Sequence, residues 1–540
     1  MERSPLEKMR LAYRPSLPPQ LRNLSQIQFQ TEPTPSSKEK KRIDELFPKT
    51  ANQPLLRGSL GTSSPSSPLR VGVFFSGGPA AGGHNVITGL FDALKQIHGE
   101  SRLFGFLNGP QGVIDGSSRE ITLEELQNYR NQGGFDLIGS GRTKIETPEQ
   151  MQATYETVEK LGLNGLVVIG GDDSNTIAAM LAEYFKKRGS ELCVIGAPKT
   201  IDGDLQNPYV AISFGFDTAC KTYAEVIGNI ARDAASARKY THFIKLMGRS
   251  ASHVTLECAL LTHPNLTLIG EEVKAKNLSL AQITSSIADM ISKRCELGKN
   301  YGVVLVPEGL IEFIPEIGAL IRELNALLAK DPNLVLETIK PQLTPQSLTA
   351  FTTLPDAIQK QLLLHRDPHG NVQVSLIETE KLLMEVVAVE LDKRKKEGRF
   401  KGKYAFQHHF LGYEGRAGFP SNFDCNYCYA LGHVAALLIS RKHTGYMCFV
   451  EGLQDNVESW KIGAVPLTSL LYLEVRKGKE QMVVQKALVD LSAKPFLYFQ
   501  QHRKAWELED AYLFPGPIQY FGDPSLTETP PIIIQPLETT

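Results

Sequence analysis

The sequence predicts an α/β fold whose parallel sheets are covered by helices on both faces. From Val71 onward, short apolar runs rich in β-branched residues alternate with longer amphipathic stretches. The apolar runs are continuous, which is typical of strands that are buried on both faces. Glycine-rich or polar segments follow several of these runs, and ligands of such sheets bind at the carboxyl ends of the strands. We therefore expect the functional residues to come directly after the strands.

The individual elements follow one another in a regular order. Amphipathic stretches predict helices, among them 84–97, 175–189 and 217–233. This alternation of continuous apolar strands with helices predicts parallel sheets. The apolar runs that we predict to be strands are 71–75, 103–107, 166–169, 192–196, 243–246 and 303–306.

Two regions depart from this alternation. Residues 1–70 hold ten of the 32 prolines and end in GTSSPSSPLR. We expect them to form a partly disordered N-terminal extension that buries little, with a short helix within 38–47. Residues 311–400 contain IGALIRELNALLAK and IETEKLLMEVVAVELDKRKKEG, which predict a helical insertion rather than a catalytic subdomain.

The composition excludes several classes of protein. The chain has 540 residues, of which 42% are apolar and 22% charged, and its net charge is −1. A near-neutral chain does not suit the coating of nucleic acid, which needs a basic excess. No apolar run approaches the ~20 residues that cross a bilayer, and the N-terminus lacks the apolar segment of a signal peptide. We expect a cytoplasmic protein that binds neither nucleic acid nor membranes.

The seven cysteines do not form a disulfide framework. They are scattered and odd in number, which fits reduced thiols in a cytosol. Cys425 and Cys428 form one CxxC motif, but a zinc site usually needs a second pair or nearby histidines. Packing is therefore the favoured interpretation of this motif, and a metal or redox role is the alternative.

Two glycine-rich loops follow predicted strands. The first is SGGPAAGGHN (76–85), where Gly77 and Gly78 allow the backbone to approach a phosphate ahead of a helix N-terminus. The second is GGDDSN (170–175), in which Asp172 can hold Mg²⁺ against phosphate oxygens. The adjacent Asp173 would repel an additional phosphate group, so it suits the exclusion of a longer polyphosphate. A tight turn and an Asp-rich helix cap are the respective alternatives.

A third loop, PKTIDGDL (198–205), brings a lysine, a hydroxyl and two carboxylates together. Lys199 can neutralise a transferring phosphoryl group. One aspartate can take a proton from an attacking alcohol, and the other can orient metal-bound water. The loop alone could be a solvated turn, but three such loops after three strands favour a phosphoryl-transfer site.

Three shorter motifs further along suit a sugar phosphate. They are MGR (247–249), PEG (307–309) and GYEGR (412–416). Arginine binds phosphate through two parallel hydrogen bonds, and glutamate suits sugar hydroxyls. Each motif alone could equally be a solvated surface segment.

Taken together, these motifs closely resemble those of the diphosphate-dependent 6-phosphofructokinases, in the long form that is similar to the catalytic beta subunit of plants. The motifs occur in the family's order, and the similarity spans roughly residues 70–530. The resemblance implies two three-layer domains of phosphofructokinase type, each with a parallel sheet. It also implies reversible transfer of a phosphoryl group from Mg-diphosphate to the 1-hydroxyl of fructose 6-phosphate, in glycolysis and gluconeogenesis.

The resemblance assigns roles to individual residues. Gly77, Gly78 and Arg142 would bind diphosphate, and Asp172 would bind the cofactor Mg²⁺. Asp202 would accept the proton of the 1-hydroxyl. The catalytic group would be Asp173, Lys199, Asp202 and Asp204. The residues that would bind fructose 6-phosphate are Thr200, Ile201, Asp202, Lys239, Tyr240, Met247, Gly248, Arg249, Glu308, Tyr413, Glu414, Gly415 and Arg416.

The choice of donor would depend on two of these residues. ATP-dependent relatives generally carry glycine where this chain has Asp173 and Lys199. Asp173 would occupy the space and the negative charge of the α-phosphate of ATP, and Lys199 would stabilise the transferring group. The alternatives are an ATP-dependent phosphofructokinase, a kinase of the NAD or lipid group, an inactive regulatory subunit and a plain nucleotide-binding module. The retained carboxylates Asp172, Asp202 and Asp204 argue against an inactive subunit.

The resemblance also implies an assembly and a division of the chain. Lys239 and Tyr240 match positions that reach into a neighbouring subunit's site, so we expect a homodimer or a higher oligomer. The bacterial ATP enzymes carry an arginine near position 240, where this chain has tyrosine. The expected segments are a diphosphate-binding domain at 71–240, to which later segments return, a sugar-phosphate-binding domain at 241–310 and 401–470, the helical insertion at 311–400, and a segment 471–540 that packs back on the core.

Overall fold

The computed structural model describes residues 2–35, 37, 39–61, 67–331, 334–364, 372–476 and 479–539. Contacts between residues divide the chain into two compact units. Unit 1 consists of Met1–Ala219, Tyr413–Ala487 and Ile518–Ile534. Unit 2 consists of Cys220–Gly412, Leu488–Pro517 and Gln535–Thr540.

Each of the six predicted strands overlaps a strand of the structure. Further strands come from segments whose apolar pattern is weaker. The strands are β1 Ile27–Glu32, β2 Leu55–Leu60, β3 Arg70–Ser76, β4 Arg102–Phe106, β5 Ser118–Ile121, β6 Ser140–Gly141, β7 Gly165–Gly170, β8 Cys193–Pro198, β9 Tyr240–Leu246, β10 Leu266–Thr267, β11 Tyr301–Pro307, β12 Phe406–Leu411, β13 Tyr446–Glu451, β14 Lys461–Pro466, β15 Leu471–Arg476 and β16 Lys479–Val484.

The predicted helices are also present, with ends that differ by a few residues. The α-helices are α1 Pro5–Ala12, α2 Lys40–Leu46, α3 Gly83–Ile97, α4 Pro110–Ile114, α5 Leu123–Leu126, α6 Pro148–Lys160, α7 Asp172–Lys187, α8 Phe216–Ala237, α9 His253–Thr262, α10 Gly270–Ala275, α11 Leu280–Glu296, α12 Leu310–Phe313, α13 Pro315–Lys330, α14 Leu336–Ile339, α15 Pro345–Thr353, α16 Asp356–Leu364, α17 Thr379–Lys396, α18 Asn422–Ser440, α19 Lys494–Leu508 and α20 Pro524–Thr527. Short 3₁₀ helices are Pro19–Leu21, Leu24–Gln26, Lys340–Gln342, Val374–Leu376, Tyr413–Gly415, Val457–Ser459, Leu467–Leu470 and Ile532–Ile534.

Unit 1 is built on a ten-stranded sheet with the order β1-β2-β14-β13-β8-β7-β3-β4-β5, in which β6 also pairs with β3. The central strands β13, β8, β7, β3 and β4 run parallel, and every residue of β7 is buried. The strands toward both edges pair antiparallel, so the sheet is mixed rather than purely parallel. Because β3, β7 and β8 are parallel neighbours, the loops after Ser76, Gly170 and Pro198 meet at one edge of the sheet.

Unit 2 is built on a four-stranded sheet with the order β10-β11-β9-β12, and all of its pairs are parallel. Its apolar core extends from Val304 and Val306 of β11 to Leu324, Phe351 and Leu383. The helices of the segment 311–400 therefore share one core with this sheet instead of forming a core of their own. Residues 332–333 and 365–371 of that segment lie outside the described part of the chain.

The structure corrects the expectation for the N-terminal extension. In its described part, Leu21, Ile27 and Leu56 are at most 1% exposed, and β2 pairs with β14 of the sheet. The prolines mislead in part because two of them begin helices, where the missing N–H costs nothing: Pro5 follows the N-cap Ser4 in α1, and Pro19 begins a 3₁₀ helix. Residues 62–66, in the run expected to be disordered, lie outside the described residues.

The division of the chain also differs from the expected one. The segment 401–470, expected in the sugar-phosphate-binding domain, is split after Gly412, because β13 and β14 add to the sheet of unit 1. The segment 471–540 contributes to both units rather than packing back as one piece. Among the described residues, no helix has the length and apolar character that would let it cross a bilayer.

Candidate active site

One lysine connects the three loops at the edge of the unit 1 sheet. The backbone N–H of Lys199 donates to the carbonyl oxygen of Gly170 at 3.0 Å, and its Nζ donates to the carbonyl oxygen of Gly78 at 2.7 Å. The first loop is held from its other side, because the N–H of Gly77 donates to Gly141 at 2.9 Å. The loops therefore form one connected surface, as the order of the strands predicts.

The two glycines of the first loop leave space that a side chain would fill. Gly77 has a φ of +88°, and a Cβ there would lie 3.1 Å from Nζ of Lys199. A Cβ at Gly78 would lie 3.2 Å from the guanidinium carbon of Arg416. Two cations thus lie against a stretch of bare backbone, which is an arrangement that suits a phosphate-bearing ligand.

The environment of Lys199 disfavours its positive charge. The residue is 6% exposed. Burial lowers the pKa of its ammonium group to about 8, and the positive charge of Arg416 acts in the same direction, while the negative charge of Asp202 opposes both. A bound anion would stabilise the charged form of this lysine, so the site suits a negatively charged ligand.

Two of the predicted carboxylates face a common cation. Asp172 is the first residue of α7, where the partial positive charge of a helix N-terminus favours a carboxylate. The Nζ atom of Lys486 lies 3.5 Å from Oδ2 of Asp172 and 3.9 Å from Oδ2 of Asp204. Burial raises the pKa of Asp204 to about 7, the negative charge of Asp202 adds to this, and Lys486 opposes it.

Asp173 lies beside another lysine at the start of the same helix. Its Oδ1 is 3.7 Å from Nζ of Lys144, which also lies 3.4 Å from Oε1 of Glu146. The side chain of Asp173 is 38% exposed, so its charge is presented at the surface of the site. A negative charge at this position suits the exclusion of a ligand that carries an additional phosphate group.

The loop around Asp202 is braced by its own hydroxyl groups. The N–H of Asp202 donates to Oγ1 of Thr200 at 3.1 Å, and Oγ of Ser213 donates to the carbonyl oxygen of Thr200 at 2.8 Å. Ile201 is buried, whereas Asp202 is only half-buried. The backbone is therefore fixed while the carboxylate of Asp202 stays accessible, as a proton acceptor requires.

The GYEGR segment places its arginine against the first loop. The guanidinium of Arg416 lies 4.5 Å from the ring centre of Tyr413, and the backbone N–H of Arg416 donates to the carbonyl oxygen of Tyr413 at 3.0 Å. Glu414 is exposed and Gly415 is buried. Within unit 1, Arg416 thus lies beside Gly78, in the part of the site assigned to diphosphate. Arg142 is exposed, and its positive charge helps to lower the pKa of Lys199.

In unit 2, the MGR and PEG motifs pack directly on each other. Oε2 of Glu308 accepts from the N–H of Gly248 at 3.0 Å, and both residues are buried. A Cβ at Gly309 would clash with the carbonyl oxygen of Arg249. Met247 is buried and Arg249 half-buried. The structure therefore brings these predicted residues together at the carboxyl ends of β9 and β11.

Lys239 and Tyr240 do not join that group. They lie at the beginning of β9, whereas Met247 follows its end, and a seven-residue strand spans roughly 20 Å. Lys239 is exposed, and Tyr240 has a φ of +71°. Within this chain the two residues are separated from the MGR motif by the length of the strand.

Sequence reasoning missed two lysines of the site. Lys486 stands in an unremarkable segment, QKAL, and only the folded chain brings it to Asp172. Lys144 belongs to GSGRTK, the segment that holds Arg142, so its position in the sequence could have indicated a role.

The CxxC motif lies inside the packed core of unit 1. Cys425 and Cys428 are buried on α18, where Arg10 donates to Sγ of Cys425 at 3.0 Å. Burial raises the pKa of the Cys425 thiol to about 12. Among the described residues, no group of three or more His, Cys, Asp or Glu side chains is arranged to hold a metal ion.

Comparison with known proteins adds a family and several relatives. The phosphofructokinase family model matches residues 70–439. A protein of Porphyromonas gingivalis named pyrophosphate--fructose 6-phosphate 1-phosphotransferase is 48% identical over 546 residues, covering 99% of this chain and 99% of that protein. The beta subunit of the enzyme with the same name from Solanum tuberosum is 53% identical over 493 residues, covering 91% of this chain and 87% of the subunit.

Solved structures share the fold at low sequence identity. A pyrophosphate-dependent phosphofructokinase from Nitrosospira multiformis has a TM-score of 0.53 at 17% identity, covering 86% of this chain and 97% of that chain. The corresponding structure from Marinobacter aquaeolei has a TM-score of 0.51 at 16% identity, covering 82% and 93%. These likenesses support the α/β fold predicted from the sequence.

Proposed function

The chain belongs to the phosphofructokinase family, and we propose that it transfers a phosphoryl group from diphosphate to the 1-hydroxyl of fructose 6-phosphate. The products are fructose 1,6-bisphosphate and phosphate. Relatives that share about half of their residues with this chain, over nearly its whole length, carry the name of this activity. The proposal depends most on the position of Lys199. This residue connects the three loops after β3, β7 and β8, and it lies near the carboxylate of Asp202.

The diphosphate would bind to the connected loops of unit 1. The backbone of Gly77 and Gly78 would lie against its oxygens, and Lys199 and Arg142 would neutralise their charge. A diphosphate has no base for the protein to grip, so its affinity must come almost wholly from such phosphate contacts. The lowered pKa of Lys199 supports this role, because burial disfavours its positive charge and a nearby anion would stabilise that charge.

The donor set of the site fits Mg²⁺. Asp172 and Asp204 each place a carboxylate oxygen within 3.9 Å of Nζ of Lys486, and Mg²⁺ binds through one or two carboxylates together with substrate phosphates and water. Asp172 would be the main ligand and Asp204 would support it. When bound, Mg²⁺ would supply positive charge to the phosphate oxygens.

The chemistry requires positioning and one proton acceptor. Asp202 takes the proton of the 1-hydroxyl as the bond to phosphorus forms, and Lys199 balances the charge on the transferring group. No covalent enzyme intermediate is needed. The braced backbone at Thr200 keeps Asp202 in place while the hydroxyl attacks in line with the departing phosphate.

The sugar phosphate would be bound by the remaining predicted residues. The carboxylate of Glu308, which accepts from the N–H of Gly248, suits a sugar hydroxyl. Arg416 suits the phosphate of the sugar, although its position beside Gly78 also brings it close to the residues proposed for diphosphate. Lys239 and Tyr240 would serve a neighbouring subunit's site, in a homodimer or higher oligomer, which their distance from the MGR motif along β9 supports. The other proposed contacts are Thr200, Ile201, Met247, Arg249, Tyr413, Glu414 and Gly415. As the family resemblance implies, the reaction would be reversible and belong to cytoplasmic glycolysis and gluconeogenesis.

The decisive experiment compares donors on the purified chain. Initial rates of fructose 1,6-bisphosphate formation are measured with diphosphate and with ATP, each with and without Mg²⁺. We expect turnover with diphosphate and Mg²⁺, and little with ATP because Asp173 excludes the longer chain. Faster turnover with ATP would favour the second candidate, an ATP-dependent phosphofructokinase.

A further inference from the structure

The segment that follows β16 is fastened to the candidate active site within unit 1. The N–H of Val484 donates to Oγ1 of Thr176 on α7 at 2.9 Å, and the N–H of Ala487 donates to the carbonyl oxygen of Asp204 at 2.7 Å. Between them, the N–H of Gln485 donates to Leu470 at 3.0 Å. The backbone on both sides of Lys486 is therefore fixed relative to the carboxylates of the site.

The side chain of Lys486 lies against the two carboxylates that we assign to the metal. Its Nζ is 3.5 Å from Asp172 and 3.9 Å from Asp204, which is longer than the 2.7–3.2 Å of an ordinary hydrogen bond. These two contacts are charge attractions without the geometry of a tight bond. The side chain is 26% exposed, so a ligand that enters from solvent can reach it.

A divalent cation at these carboxylates would meet this positive charge. Like charges at about 4 Å repel strongly at the edge of a protein. A bound diphosphate offsets the repulsion between the ammonium group and the cation. Its oxygens can accept hydrogen bonds from the ammonium group and can also complete the coordination that Mg²⁺ prefers. Lys486 thus disfavours the metal when diphosphate is absent and no longer disfavours it when diphosphate is bound.

We propose that Lys486 makes metal binding depend on diphosphate. It opposes a divalent cation that arrives alone at Asp172 and Asp204, and it stops opposing the cation once diphosphate is present. Lys486 is therefore a positioning residue for the metal–diphosphate complex. The inference rests on the proposed function and adds a residue that no motif of the sequence identifies.

The test measures binding rather than turnover. Mn²⁺, a paramagnetic substitute for Mg²⁺, is titrated into the full-length protein and followed by electron paramagnetic resonance, with and without methylenediphosphonate, an analogue that is not hydrolysed. The wild-type protein should bind Mn²⁺ at least about tenfold more tightly when the analogue is present. In Lys486→Met, which keeps the length and removes the charge, the affinity for Mn²⁺ alone should rise about tenfold and the dependence on the analogue should shrink.

Two variants serve as controls. Lys486→Arg keeps the charge and should keep the wild-type dependence, and Lys461→Met removes an exposed lysine at the start of β14 and should behave as wild type. Unchanged or weaker binding of Mn²⁺ alone in Lys486→Met would overturn the inference. Thermal unfolding tests whether Lys486→Met is folded, and Lys486→Gln replaces it if it is not.

The failure of the inference can be distinguished from the failure of the proposed function. If the wild-type protein binds neither Mn²⁺ nor the analogue, the proposed function fails as well. If the wild-type protein binds both and Lys486→Met binds Mn²⁺ as the wild type does, only the inference fails.

Discussion

The ammonium group of Lys199 donates a 2.7 Å hydrogen bond to the carbonyl oxygen of Gly78. The N–H of the same lysine donates to Gly170, so a single residue ties together the loops that end β3, β7 and β8. Its charge lies over backbone that Gly77 keeps clear of side-chain atoms. A change at position 199 should therefore act on both the charge and the placement of the loops.

Loss of the charge at Lys199 should slow the chemical step. Lys199→Met should lower kcat with diphosphate by about 100-fold or more, since one charged donor to a transferring group contributes about 3 kcal/mol. Lys199→Arg keeps the charge and should lose less. Steady-state kinetics with both variants test this, with Lys187→Met, at the far end of α7, as the control. Equal losses in Lys199→Met and Lys199→Arg would assign the effect to packing instead.

The pH dependence should reveal the same residue. Burial lowers the pKa of Lys199 to about 8, and the lysine must be protonated to neutralise the donor. With diphosphate as the varied substrate, kcat/KM should therefore decline above pH 8 as this proton is lost. In Lys199→Arg the decline should disappear, because a guanidinium stays charged to about pH 12. A decline that persists in Lys199→Arg would point to another group.

Removal of the proton acceptor should affect turnover more than binding. Asp202→Asn should lower kcat by about 10²- to 10⁴-fold, because the amide cannot take the proton of the 1-hydroxyl. The KM values for both substrates should change little, since the backbone bond from Asp202 to Thr200 remains. Asp115→Asn, an exposed aspartate at the end of α4, is a matched control. A variant with near-normal kcat would exclude Asp202 as the acceptor.

The choice of donor should respond to Asp173. Asp173→Gly removes a side chain and a charge from the start of α7, and ATP-supported turnover should rise by about tenfold or more. Asp173→Asn keeps the size and should give a smaller gain if the side chain's volume matters as well as its charge. Rates with ATP and with diphosphate are compared for each variant. No gain with ATP in either variant would contradict the role of Asp173 in excluding it.

The N-terminal segment should contribute to the stability of the chain. Arg10 is fully buried and donates to Asn422 at 2.7 Å and to Pro420 at 2.8 Å. Arg10→Met should lower the free energy of unfolding by about 2–5 kcal/mol, because buried acceptors lose their donor. Urea unfolding of Arg10→Met and of the exposed Arg14→Met measures the difference. A similar, small loss in both variants would mean that the segment is only loosely attached.

The central strands and the loops after them could be predicted because their information is local. A fully buried strand such as β7 needs a continuous apolar run, which is visible in the sequence. The glycines of a loop such as 76–85 indicate phosphate binding without reference to the rest of the chain. The strand β12, FQHHFL, lies at an edge of its sheet and is largely exposed, so it carries no such run. Its place in the sheet is decided by pairing with β9 rather than by its own pattern.

Lys486 and Arg10 could not be predicted because their partners lie far away in the chain. The partner of Arg10 at Asn422 is 412 residues distant, and Lys486, which follows the paired strands β15 and β16, meets Asp172 from a remote part of the chain. A charged residue in a proline-rich or polar segment is usually solvated, so the sequence gives no reason to bury one. Lys144 differs, because it shares a short motif with Arg142 and stands near it by covalent connection alone.

The pairing of β2 with β14 has a consequence for biosynthesis. Leu56 lies beside Ala464, so a segment that leaves the ribosome early must wait about 400 residues for the strand that it pairs with. Until then β1 is the only strand among the described residues that β2 can pair with, and a polypeptide that ends before Lys461 would leave the other edge of β2 unpaired. Chaperone demand and aggregation during translation should therefore depend on whether β14 has been synthesised, because it pairs with this edge of β2.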